Sequence, residues 1–226
     1  MKAKLMSQNS YEQYWKDVHK NKFKFASKTN VSVLPWDIQT HDANLQEILD
    51  IFNLSSGNAL ELGCGTGYDS KFLFEQGFEV TAIDISEDAI EIAKHNTSEI
   101  DIDYIVGDFF KDLPNKQFDL VYDRGFLHNY QNNFLEIFEK LNDVMAEHGK
   151  YIFITGNPNQ PIIDTCMPPP VFLGAIESYS SHWFKVVFVK EIVFKVDKNY
   201  QDCLGYIFLL EKRLPNPTTD TIVRNK

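Results

Sequence analysis

The sequence is poor in the residues that would tie it to a specialised setting. Cysteine occurs only three times in 226 residues, at Cys64, Cys166 and Cys203. The three are widely spaced and odd in number, which argues against a disulfide framework and for reduced thiols in a cytoplasm. There is no C-x-x-C and no closely spaced histidine pair, so no metal is expected. Positive charge is scarce: 22 Lys and Arg face 32 Asp and Glu, a formal net charge of −10. A nucleic-acid partner, which needs clustered Lys and Arg, is therefore not expected. Long apolar runs are missing too. The longest, such as 204–210, fall well short of the roughly 20 residues that span a bilayer. The opening MKAKLMSQNSYEQYW has two lysines with no apolar stretch behind them, so neither a signal peptide nor a membrane partner is expected.

What is present is ordinary soluble-protein material, 43% hydrophobic and 24% charged, enough for a sizeable core. Residues 1–40 are polar and aromatic by turns. Leu45, Ile48, Leu49 and Phe52 fall at helical spacing. Ala59–Leu62 then reads as a short buried strand entering a glycine-rich turn, and Tyr68–Gln76 as a helix ended by Gly77. Strand and helix go on alternating. Glu79–Ile85 is a strand, Ser86 an N-cap with Glu87 and Asp88 in the first turn, and Ile102–Val106 and Phe118–Asp123 are further strands. Asn132–Glu147 reads as a long helix and Lys150–Thr155 as a fifth strand. This rhythm predicts an α/β fold: a doubly wound, mostly parallel seven-stranded sheet with helices on both faces. Residues 157–182 hold five prolines and read as a loop-rich insertion with one short helix. Phe184–Val196 and Gly205–Lys212, joined by a short turn, predict a C-terminal antiparallel hairpin. Residues 214–226 read as a tail, and 1–226 as a single domain.

The sharpest motif is Glu61-Leu62-Gly63-Cys64-Gly65-Thr66-Gly67 at the end of the first strand. Glycines there let the backbone approach a ligand, and the next helix offers unpaired N–H groups. A tight turn with no ligand is the plainer alternative. A dinucleotide G-x-G-x-x-G fits poorly: counted from Gly63 its third glycine is Tyr68, and counted from Gly65 it is Ser70.

The E-x-G-x-G-x-G pattern resembles the first motif of the Rossmann-like S-adenosylmethionine-dependent methyltransferases. The resemblance implies S-adenosylmethionine as cofactor and a small-molecule methyl acceptor. Asp84, 17 residues beyond Gly67, would accept both ribose hydroxyls, with Ile85 beside it. Asp108 and Phe109 would take the adenine amine and ring. Asp123-Arg124-Gly125 after the fourth strand is similar to the thiopurine and thiol methyltransferase group, in which Arg124 would lie in the cofactor site. Tyr14-Trp15 and Pro35-Trp36-Asp37 resemble that group's aromatic arm over the cofactor, implicating Trp15 and Trp36. Met167-Pro168-Pro169-Pro170 resembles its proline-rich insertion. A thiol or thiopurine-like sulfur is the implied acceptor.

Methyl transfer is an in-line displacement, and an aromatic pocket favours it by stripping water from the reactants. Phe25 and Tyr130 are the candidates for acceptor walls, alongside Trp15, Phe23 and Trp36; each can equally be a packing residue. An amine or hydroxyl acceptor needs a base, and Asp123 and His128 are the candidates. Cys64 reads as a small apolar filler. The competing classes are a nicotinamide-dependent oxidoreductase and a non-catalytic binding module. A monomer or weak homo-oligomer is expected.

Overall fold

The computed structural model describes residues 34–160 and 169–214. Seven strands form one sheet. They are β1 (Gly57–Leu62), β2 (Phe78–Asp84), β3 (Asp103–Val106), β4 (Phe118–Arg124), β5 (Met145–Gly156), β6 (Phe184–Phe194) and β7 (Cys203–Lys212). Their order is β3-β2-β1-β4-β5-β7-β6. The first five run parallel, and β7 is antiparallel to both its neighbours. The predicted fold class is the observed one.

Helices cover both faces. On one lie α1 (Ala43–Phe52), α2 (Tyr68–Glu75) and α3 (Glu87–Asn96), whose Leu45, Phe72 and Ile90 pack with Tyr122 and Ile152 of the sheet. On the other lie α4 (Phe134–Val144) and α5 (Leu173–Ser180), whose Phe138 and Ile176 pack with Val121 and Phe153. Central strands buried from both sides are apolar on both, as Ala59, Leu60 and Leu62 of β1 and Leu120–Tyr122 of β4 are. Local signals start the helices. Asp42 caps α1 by accepting from the Asn44 amide at 2.9 Å, and Ser86 caps α3 by accepting from Ala89.

Two boundaries differ from the sequence expectation. The helix read over 132–147 is only Phe134–Val144, because the chain passes at Met145 directly into β5. Met145 pairs with Phe118 across a register shift, and Lys212 Nζ donates to the Asn142 and Met145 carbonyls at 2.6 Å. A distant lysine thus ends the helix. The hairpin also docks by its second strand. β7 carries the buried run Ile207–Leu210, whereas β6 exposes Lys185, Lys190 and Glu191 and takes the edge. Among the described residues no helix is long and apolar enough to cross a membrane.

Candidate active site

The glycine turn lies at the carboxyl ends of β1, β2 and β4, where the strand order reverses and open α/β sheets bind ligands. Gly63 and Cys64 donate their amides to the Ile83 carbonyl at 2.8 and 3.2 Å, fixing the turn to the end of β2. Its three glycines do three different things. At Gly67 (φ 80°) an added Cβ would stand 2.6 Å from Tyr104 Oη and 2.9 Å from Ala93 Cβ, so this glycine lets α2 start against α3. At Gly63 it would meet the Phe126 ring at 3.3 Å. At Gly65 (φ 53°) it would meet nothing within 4 Å, so this is the position whose backbone faces open space.

Asp84 ends β2 beside this opening. Its Oδ2 accepts from the Gly65 amide and its Oδ1 from the Ser86 amide, both at 2.9 Å. An ionised carboxylate has about four lone-pair sites, so each oxygen keeps acceptor capacity for a hydroxyl. Ile85 follows it, half-buried. Beneath the turn sits an acidic cluster. Glu61 accepts from the Ser70 hydroxyl, and burial together with Asp69 holds its carboxyl well above the usual range. Asp69 is pushed up to about 6, chiefly by burial; its oxygens accept from the Asp42 amide at 2.7 Å and from Tyr122 Oη at 3.1 Å. Burial keeps the Cys64 thiol protonated and inert.

A cavity of about 70 Å³ opens over the turn, and Trp36, Glu61, Gly63, Gly65 and Arg124 all line it. The segment 34–40 forms its far wall, held by Thr66 Oγ1 donating to Asp37 at 3.0 Å. The sequence reading missed Asp37, Asp42, Asp69 and Ser70. One signal was available for two of them: polar Asp69 and Ser70 occupy buried positions of α2 immediately after the glycine turn.

Other sequence candidates stand elsewhere. Asp123 is fully buried. Its Oδ1 accepts from the Phe126 and Leu127 amides and its Oδ2 from Tyr151 Oη. It holds the 3₁₀ turn Leu127–Tyr130 at the end of β4 as a buried acceptor of three hydrogen bonds. His128 lies in that turn with its Nδ1 buried and unpartnered; burial and the Arg124 charge push its pKa down to about 3. A base that weak does not remove a proton from an amine or hydroxyl at neutral pH. Arg124 donates to Asp42 and to two backbone carbonyls, which engages three of its five N–H groups.

Asp108 accepts from the Phe110 amide at 3.0 Å and from Lys111 Nζ at 2.7 Å. Phe109 is 2% exposed. Its edge meets Phe110 and Phe126, and Tyr130 joins both of those at 5.8 and 4.9 Å between centroids. These rings make an aromatic wall beside the turn. Trp15 and Phe25 lie outside the described residues, as do residues 161–168 of the proline-rich segment. Among the described residues no group of three or more His, Cys, Asp or Glu is placed to hold a metal ion.

A family model described as a methyltransferase domain matches residues 60–153, from β1 through most of β5. That match covers less than half of the chain. It is similar to probable thiol methyltransferase 2 of Arabidopsis thaliana, 28% identical over 130 residues, 54% of this chain and 51% of that protein. Thiocyanate methyltransferase 1 of Brassica oleracea is 32% identical over 95 residues, 40% of this chain and 42% of that one. A malonyl-[acyl-carrier protein] O-methyltransferase of Acetivibrio thermocellus is 34% identical over 87 residues, 37% and 31% of the two chains. The chain thus spans about half, or less, of the length of these curated relatives. Among solved structures, the magnesium protoporphyrin IX methyltransferase of Synechocystis PCC 6803 with bound S-adenosylmethionine superposes with a TM-score of 0.67. The match is 16% identical and covers 94% of this chain and 100% of that one. A structure described as conversion of a disulfide bond into a thioacetal group during echinomycin biosynthesis gives 0.75 at 17% identity, covering 91% and 94%. The fold is that of S-adenosylmethionine-dependent methyltransferases, and the chain resembles the thiol methyltransferases.

Proposed function

We propose that this chain transfers the methyl group of S-adenosylmethionine to a small molecule that presents an ionised sulfur. The cofactor half of this reading rests on the open floor at Gly65 and on the Asp84 carboxylate buttressed beside it. Glu61, Gly63, Gly65, Asp84 and Trp36 would hold the cofactor, which supplies a methyl on a sulfonium that departs without assistance.

One observation supports the acceptor half: among the described residues, the two base candidates at the end of β4 are both buried, so that strand end presents no exposed base. Asp123 has both oxygens engaged, and His128 is pushed down to about 3. A hydroxyl or ammonium acceptor would need such a group; a thiolate arrives without its proton. Opposite charges on thiolate and sulfonium vanish as the new bond forms, so removal of water speeds the step. The half-buried Phe110, Phe126 and Tyr130 provide apolar surface for that. The names of the thiol and thiocyanate relatives point the same way.

The test is production of S-adenosylhomocysteine from a panel of thiols of graded pKa, with matched alcohols, amines and carboxylates. We expect turnover with thiols only. We also expect a pH–rate profile above pH 7 that follows each acceptor's own pKa rather than one fixed enzyme group. Preferred turnover of an alcohol, amine or carboxylate overturns the acceptor assignment.

A further inference from the structure

Arg124 lines the cavity and donates three hydrogen bonds to the protein. Nε donates to Asp42 Oδ2 at 2.8 Å, Nη1 to the Trp36 carbonyl at 3.0 Å, and Nη2 to the Lys195 carbonyl. The guanidinium also lies 4.6 Å from the centroid of the Phe194 ring. The side chain is only 7% exposed. These contacts join pieces of chain far apart in sequence: the cap of α1, the segment before it, and the end of β6.

The same segment is tied down at other points. The Asp197 amide donates to the Pro35 carbonyl at 2.7 Å, Thr66 donates to Asp37 at 3.0 Å, and the Asp42 amide donates to Asp69 at 2.7 Å. Leu34–Asp42 is therefore a strap across the carboxyl end of β1. Within it Gln39 takes φ 55°, a left-handed conformation that marks a sharp change of direction. The strap leaves a cavity of about 70 Å³, whereas pockets for ligands of drug size run to roughly 300–1,000 Å³. The strap in this position narrows the space over the turn.

We infer that Arg124 is a positioning residue that staples the 34–42 strap over the cofactor cradle and governs cofactor entry and exit, rather than a ligand of the cofactor. This rests on the cradle taking S-adenosylmethionine, as proposed above. A buried guanidinium fixed on two carbonyls and a carboxylate holds three chain segments at once. Lifting the strap breaks its bond to Trp36, while Asp42 remains as the cap of α1.

The experiment uses the full chain with Arg124→Lys, Arg124→Met and the double variant Arg124→Met/Asp42→Asn, which removes the Asp42 carboxylate together with the guanidinium it pairs. Stopped-flow binding of S-adenosylhomocysteine and of 5′-methylthioadenosine, which lacks the amino-acid arm, is read alongside amide exchange of residues 34–42. We expect association and dissociation of both ligands to rise about tenfold in Arg124→Met, less in Arg124→Lys, with exchange protection lost across the strap. If Arg124 instead ligates the cofactor carboxylate, only S-adenosylhomocysteine dissociation rises, methylthioadenosine is unchanged and strap protection persists; that result overturns the staple. If the native chain binds neither ligand, the proposed function fails, and the exchange measurement still decides whether Arg124 holds the strap. If Arg124→Met does not fold, the double variant carries the same readouts.

Discussion

The backbone amide of Gly65 donates to the carboxylate of Asp84 at 2.9 Å, joining the glycine turn after β1 to the last residue of β2. The two halves of the candidate cofactor site are thus one hydrogen-bonded unit. A carboxylate already oriented by two backbone donors gives up little freedom when a hydroxyl ligand arrives.

Replacing that carboxylate should therefore weaken the ligand more than the fold. Asp84→Ala is expected to reduce S-adenosylhomocysteine affinity by about 1.5–3 kcal/mol, the range for a hydrogen bond to a charged group. Titration calorimetry measures it, and an unchanged affinity would identify another carboxylate as the ribose acceptor.

The glycines of the turn should separate by role. Gly67→Ala drives a Cβ to within 2.9 Å of Ala93 Cβ and should cost about 1–3 kcal/mol of stability through overpacking. Gly65→Ala meets no atom within 4 Å. Apart from strain of about 1 kcal/mol at its positive φ, its effect should fall on ligand affinity. Thermal melts with and without S-adenosylhomocysteine distinguish the two.

Asp123→Asn tests whether this residue is structural. Burial pushes its carboxyl up to about 6, so between roughly pH 4 and 6 the folded state binds more protons than the unfolded state. The stability this group contributes is complete below about pH 4 and is lost as pH rises through about 6. Asparagine does not titrate, so the variant should gain on the native protein above pH 6. Its turnover should stay within about threefold of native, whereas a catalytic base would lose 10²-fold or more. Denaturant melts from pH 4 to 8 and one rate measurement check both.

His128 has the opposite sign. Its folded pKa is about 3 against an ordinary 6.5, so the unfolded state binds the extra proton as pH falls below 6.5, and stability is lost down to about pH 3. Between pH 6.5 and 5 this amounts to about 2 kcal/mol for a single fully shifted site. His128→Gln should remove that part of the acid sensitivity, which urea melts of both proteins at pH 5 and 7.5 will show.

Much of this molecule follows from short-range patterns. Strands apolar on both faces, separated by amphipathic helices, allow few arrangements other than a doubly wound sheet, and β1 through β4 fall within a few residues of their expected bounds. The glycine turn and Asp84 were legible because positive φ and a strand-end carboxylate are properties of single positions. Reading failed where the deciding partner is remote. α4 ends early where Lys212 comes to the Asn142 carbonyl and the chain enters β5. Asp123 looked like a base, and Tyr151, 28 residues away, closes it off. Arg124 was expected in the cofactor site, and its hydrogen bond to Asp42, 82 residues away, was not legible along the chain. The type and local conformation of a residue are written in its neighbours along the chain. Whether its charge is open or satisfied depends on which distant groups folding brings within about 3 Å, and at that range a single carboxylate changes the chemistry of the site.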